Sequence, residues 1–166
     1  MEKQSNQTTP GGLIWNLSVI HLGLAIGPIV FGILSYRTVP TSYFSISEVD
    51  GMFLVVVPIF ALLCLLMGHF IYTQSIKNIL PSSKLKQQLI QFQTASIINY
   101  ALIESAMLFG IASFYINENL IFLLLSATIL LYFFMVRPTK QKIIRDLHLN
   151  GMSKDLLNNV DQPLES

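Results

Sequence analysis

Apolar residues run almost unbroken through four stretches of this chain, at residues 13–36, 52–72, 94–116 and 120–136. Each stretch is bounded by polar or turn-forming residues, and none alternates in the strict two-residue rhythm of a half-buried strand. An α-helix rises 1.5 Å per residue, so about 20 apolar residues cross the ~30 Å hydrocarbon core of a bilayer. The first three stretches meet this length. The fourth, at roughly 17 residues, sits at its lower limit, and Arg137-Pro138 ends it abruptly. The first stretch is longer than the about 7–15 residues of a signal-peptide core and no Ala-x-Ala-like site follows, so it reads as a retained helix. The pattern predicts an all-α fold, a four-helix transmembrane bundle forming a single membrane domain over residues 1–150.

The segments between the stretches add detail. Residues 1–12 are polar, end in Pro-Gly-Gly and are expected to be loose. Ser82 or Ser83 after Pro81 is placed to cap a helix that runs through Lys84 into the third span, which would make that helix long. After Pro138, Thr139 is placed to cap a short amphipathic cytoplasmic helix over residues 139–148, with Asn150-Gly151 as its stop. Ile143, Ile144 and Leu147 share one face of it. Lys140, Lys142 and Arg145 mark it as a basic helix of the kind that rests on an anionic membrane surface, with docking onto a partner as the sharper alternative. A second short turn is expected at 154–159 within a short, partly disordered tail, residues 151–166.

Composition sharpens the membrane reading. The chain has 166 residues, of which 52% are hydrophobic and only 11% charged, with mean hydropathy +0.59. A soluble domain carries about 25% charged residues, so too few polar groups are present to cover a water-facing surface. The single cysteine, Cys64, excludes an intramolecular disulfide, and a net charge of +1 gives no footprint for nucleic acid. Lys3, Lys77, Lys84, Lys86, Arg137, Lys140, Lys142, Arg145 and Lys154 fall on one side of the predicted bundle and only Arg37 on the other. The positive-inside rule then places both termini in the cytoplasm, in a bacterial inner membrane. Trp15, Tyr36, Tyr43, Tyr72 and Tyr115 fall near the predicted interfaces, where amphipathic rings are favoured.

Polar residues inside the spans are the candidates for chemistry. Glu104 is the only acid within a span and lies near its middle. A charge at that depth costs about 2.5–3.5 kcal/mol on insertion scales, so the carboxyl is expected to face the bundle interior and take a hydrogen-bond partner. Gln93, Ser96, Tyr100, Glu104, Met107 and Ile111 follow helical spacing, with Asn99 beside them. His21 of the first span lies at similar depth, which makes a His21–Glu104 pair the sharpest expectation. Glu104, His21, Asn99 and Tyr100 are thus the candidate ion- or proton-binding set. A hydrogen-bonded interhelical seam is the competing reading of the same residues.

Small residues mark candidate packing faces. Ser18, His21, Ala25, Pro28, Gly32 and Ser35 recur every three or four residues, and Gly23 and Gly27 form a GxxxG pair on an adjacent face. Gly23, Gly27, Pro28, Gly32 and Gly110 are the candidate helix-packing residues, with contacts inside one chain preferred over dimerisation. Pro28 and Pro58 are possible kink sites. Helix four, with only Ser126 and Thr128, reads as a lipid-facing wall whose hydroxyls bond their own helix. His69 reads as interfacial and Cys64 as inert packing.

No zinc-protease, phosphate-loop or serine-hydrolase motif occurs, and no histidine and acid spacing makes a metal site. No enzyme activity, cofactor or metal is expected. The segment Ala101-Leu102-Ile103-Glu104-Ser105-Ala106-Met107-Leu108-Phe109-Gly110-Ile111 resembles the acid-bearing helix of rotary-ATPase proteolipid c subunits, though the Gly-rich repeats of those rings are missing and the acid is on the third helix. More broadly, the run from His21 to Phe31, the Ala-Leu-Ile-Glu segment, Arg137-Pro138-Thr139-Lys140 and Asp146-Leu147 resemble a group of small bacterial four-helix membrane proteins. That resemblance implies topology and compartment but no activity. The expected function is a non-enzymatic structural or accessory component in the lipid bilayer, with a membrane-protein partner or as a homo-oligomer. The alternative is a small proton- or cation-linked transporter or channel component using Glu104.

Overall fold

Thr9 and Pro10 start the first helix. The Thr9 side chain accepts a hydrogen bond from the Gly12 amide at 3.1 Å, and Pro10 occupies the first helical position, where a missing N–H costs nothing. The structure, a computed structural model, describes residues 9–46, 51–80, 83–149, 151, 155 and 157. Among these residues five helices follow in order: α1 (Pro10–Thr38), α2 (Gly51–Lys77), α3 (Leu85–Asn117), α4 (Leu120–Met135) and α5 (Lys140–Asp146).

Several boundaries differ from expectation. Helix α1 begins at Pro10, so residues 10–12 are helical; residues 1–8 lie outside the described set. Helix α2 continues past Tyr72 to Lys77: no Gly or Pro interrupts residues 73–77, and the Thr73 hydroxyl bonds back to the His69 carbonyl at 2.8 Å. Helix α3 is long as expected, at 33 residues. Its N-cap is Lys84 with no side-chain cap bond, while the Ser83 hydroxyl donates back to Leu80 O; Ser82 lies outside the described residues. Helix α5 is capped by Thr139 as expected but ends at Asp146, with His148 and Gly151 in the left-handed region. Most of the turn expected at 154–159 lies outside the described residues, although Asp155 and Leu157 are helical. Both α1 and α2 run through their prolines as single helices.

Helices α1, α2 and α3 are each long and apolar enough to cross a membrane. Helix α4 has 16 residues, a length of about 24 Å against a ~30 Å hydrocarbon core, and it meets α5 at a bend of 77°. Outward-facing side chains are apolar: Leu22, Ile33, Leu62, Leu66, Phe70 and Leu131 are each more than half exposed. A protein that leaves such residues on its outside and buries Asn99, Ser113 and Ser126 is arranged for lipid as its solvent. Together these features point to a multi-pass membrane protein.

Helix α3 is the central element. Helices α1, α2 and α4 all pack against it, α1 touches α4 only lightly, and α1 and α2 do not pack along one another. The buried stripe of α1, Leu17, His21, Ala25, Pro28 and Ser35, follows the predicted three-and-four seam. On α4 the stripe Phe122, Ser126, Ile129 and Phe133 is buried. Helix α4 is therefore half seam rather than a wall: Thr128 bonds its own helix at Leu124 O, but the Ser126 hydroxyl lies 3.0 Å from Phe122 O and 3.1 Å from Met107 O of α3.

The far end of the bundle is held by a clasp. The α1–α2 loop lies on the α3–α4 turn, where Tyr43 N donates to Glu118 O and Leu120 N donates to Tyr43 O at 2.8 Å. Asn119 is fully buried there. Its Oδ1 caps α4 by accepting from Ile121 N, and its Nδ2 donates to Ser45 O at 2.7 Å. Glu118, with φ 57°, makes the left-handed residue that reverses the chain.

Candidate functional site

The most elaborate polar arrangement surrounds the C-terminal end of α4. A helix leaves its last four carbonyls without intrahelical partners, and Pro138 supplies no N–H to help satisfy them. Val136 N turns back to Phe133 O and Tyr132 O. Side chains from other elements add bonds to Phe133 O and to the C-cap carbonyl, Val136 O. His21 of α1 donates from Nε2 to Phe133 O at 3.0 Å, and its ring stacks on the Phe133 ring at 4.2 Å between centroids. Tyr100 of α3 presents its ring edge to His21 at 4.8 Å, and its hydroxyl donates to Val136 O at 3.3 Å. Lys142 of α5 donates to the same carbonyl, also at 3.3 Å.

Lys142 is held in a second way. Its ammonium lies 5.0 Å from the centre of the Tyr72 ring, and Tyr72 donates to Asp146 Oδ2 at 2.6 Å. Burial pushes the Lys142 pKa below its ordinary value; Asp146 opposes that shift and Arg145 adds to it. A cation at a helix C-terminus also meets the negative end of the helix dipole.

Glu104 lies elsewhere. A Cβ on Gly27 would be 3.4 Å from Glu104 Oε1, so the carboxyl rests against the α1 backbone at the α1–α3 seam. It is only partly buried, and no hydrogen-bond partner reaches it among the described residues. The expected His21–Glu104 pair does not form, because the imidazole is committed to Phe133. The two residues lie at similar depth along their helices. Position around the helix separates them: His21 sits on the buried stripe of α1, while Gly27 is exposed.

The four candidate residues thus divide three ways. His21 and Tyr100 meet at the end of α4, and Glu104 faces Gly27. Asn99 is buried against α2, where a Cβ on Gly68 would lie 2.6 Å from its Oδ1. Steps of 100° per residue turn neighbours such as Asn99 and Tyr100 toward different helices. Among the glycines, Gly32 meets Ile111 and Leu123, and Gly110 meets Ser126 and the Phe122 carbonyl. A Cβ on Gly23 would meet nothing within 4 Å, so within the described residues it has no packing partner. Pro28 is buried in the α1 stripe.

The basic face of α5 also differs from a helix lying free on a membrane. Ile143 is only 1% exposed and joins one apolar cluster with Leu85, Leu89 and Phe92 of α3, so its apolar side is covered by the chain itself. Arg145 is exposed and pairs with Asp146 at 3.0 Å, and Lys140 is partly buried. Sequence reasoning missed Tyr72, Gly68, Phe133 and Asp146. The Pro138 break was the available signal for a carbonyl-rich helix end, but nothing in sequence says which side chains come to it. No group of three His, Cys, Asp or Glu placed to hold a metal occurs among the described residues. Comparison with protein-family models, with curated proteins and with solved structures finds no match.

Proposed function

We propose that this protein is a non-enzymatic structural or accessory component of a bacterial inner membrane. In this reading it has four spans and both termini in the cytoplasm, and it assembles with another membrane helix across the α1–α3 seam. One observation carries the reading: Glu104 lies at that seam, partly exposed and without a hydrogen-bond partner among the described residues. Hydrocarbon satisfies no carboxyl oxygen or proton, so a neighbouring helix is the natural source of its hydrogen bond. The surroundings suit close approach. Gly27, against which Glu104 rests, is exposed, as are Gly23 one turn before it and Ala101 and Ser105 near Glu104 on α3, and small residues let backbones approach in lipid.

The other intramembrane polar groups support a structural role. His21, Tyr100 and Ser126 each reach a main-chain carbonyl outside their own helix, on α4, its C-cap Val136 and α3 respectively. They serve as ties between elements of the bundle. The short α4 fits a four-span topology through modest local thinning of the bilayer.

Glu104→Leu and Glu104→Gln test the proposal. Assembly read by crosslinking in native membranes is expected to fall in Glu104→Leu and to survive in Glu104→Gln, which still hydrogen-bonds. The ion-linked alternative expects Glu104→Gln to abolish proton- or cation-coupled flux in proteoliposomes. Loss of flux with assembly intact would transfer the assignment to that alternative.

A further inference from the structure

Between α2 and α4, at the α5 end of the bundle, lies a cavity of about 560 Å³. Its rim carries His69, Tyr72 and Lys77 from α2 and Lys142, Arg145 and His148 from the α5 segment. Among the described residues Asp146 is the one carboxylate lining it, and both its oxygens are already engaged, Oδ2 by Tyr72 and Oδ1 by Arg145. With Arg145 paired to Asp146, the lining keeps a formal excess of two positive charges, those of Lys77 and Lys142. The wall on the α4 side is different: Tyr132 and Met135 line it, and Met135 is 82% exposed. Helices α2 and α4 do not pack along one another, so the cavity opens sideways onto the lipid-facing surface. The occupant that fits has an anionic head and an apolar body.

We propose that this cavity binds one anionic phospholipid, its phosphate held by Lys77, Lys142 and Arg145 and its acyl chains lying between α2 and α4. Basic pockets between membrane helices recognise lipid head groups by this division of charge and hydrocarbon. Lys142 adds a reason of its own: burial disfavours its ammonium, and an anion beside it offsets that penalty. The aromatic rings of Tyr72 and Tyr132 place the cavity at interfacial depth. The proposal rests on the chain lying in a membrane and is independent of docking at Glu104.

The test titrates the purified full chain in detergent with dioleoylphosphatidylglycerol, dioleoylphosphatidylcholine or inorganic phosphate, reading retained ligand by native mass spectrometry. One phosphatidylglycerol is expected to be retained in preference to phosphatidylcholine. Lys77→Gln and Lys142→Gln are each expected to weaken it about fivefold, the value of one basic charge near a membrane surface. Lys84→Gln and Lys86→Gln, outside the cavity, should leave it unchanged. Should Lys142→Gln fail to fold, Lys77→Gln at the exposed end of α2 decides the matter. Equal retention of the two lipids, or equal losses in cavity and control variants, would overturn the proposal. Inorganic phosphate that binds without lipid and displaces phosphatidylglycerol would assign the site to a soluble anion and overturn it too.

Discussion

At the scale of single residues, the end of α4 is where side-chain chemistry governs stability. His21→Ala removes a 3.0 Å hydrogen bond and a stacked ring from a buried site. It is expected to lower stability by about 2 kcal/mol, read as a lower thermal midpoint in detergent. Tyr100→Phe removes only the longer bond to Val136 O, which Lys142 also serves, so a loss of about 0.5–1 kcal/mol is expected. Equal effects, or none in His21→Ala, would remove the tie between α1 and α4. Lys142 gives a pH signature. Its folded pKa is depressed below 10.5, so on raising pH the folded state releases this proton before the unfolded state does. The unfolded state then binds more protons, and stability from this group rises as pH climbs from the folded pKa toward 10.5. Lys142→Met should flatten that rise; an unchanged slope would mean another group causes it.

At the scale of elements, the seams rank the glycines. A Cβ on Gly110 runs into the short Ser126 side chain and the Phe122 carbonyl, neither of which moves easily. On Gly68 it meets the far end of Asn99, which rotates more cheaply, and on Gly23 it meets nothing. Thermal unfolding of Gly110→Ala, Gly68→Ala and Gly23→Ala should therefore fall in that order of damage. Gly23→Ala should be neutral, or stabilising by up to ~1 kcal/mol from helix propensity. A Gly110→Ala variant as stable as the parent would contradict the close α3–α4 approach. The α1 stripe was legible in advance because a run of small and polar residues at three-and-four spacing maps directly onto a helix face. The division of Asn99, Tyr100 and Glu104 among three neighbours was not legible, since spacing fixes the angle around α3 but not which helix occupies it. The Asn119 clasp was hidden for a similar reason. A tight Asn-Glu-Asn turn announces a reversal, while its bonds to Tyr43 and Ser45 span more than 70 residues of chain.

At the scale of the whole molecule, an apolar exterior around a central helix sets the environment, and the proposed direction rests on the placement of the basic residues. In a Cys64-free background, cysteine at position 83 should label from the cytoplasmic side and cysteine at position 42 from the opposite side. Labelling of both from one side would overturn the four-span topology. The charge asymmetry was legible from the sequence alone. The docking of Ile143 into the apolar cluster was not, because an amphipathic helix reads the same whether protein or lipid covers its face. The claim that joins these scales is that the Glu104 carboxyl, beside Gly27 and the open Gly23, meets a helix from outside the chain. The most direct measurement is disulfide crosslinking of Gly23→Cys in the Cys64-free protein in native membranes. An oxidant-dependent adduct of higher mass, weakened by Glu104→Leu, is the predicted result. A folded, inserted protein that forms no adduct at Gly23, while control positions crosslink, would contradict it.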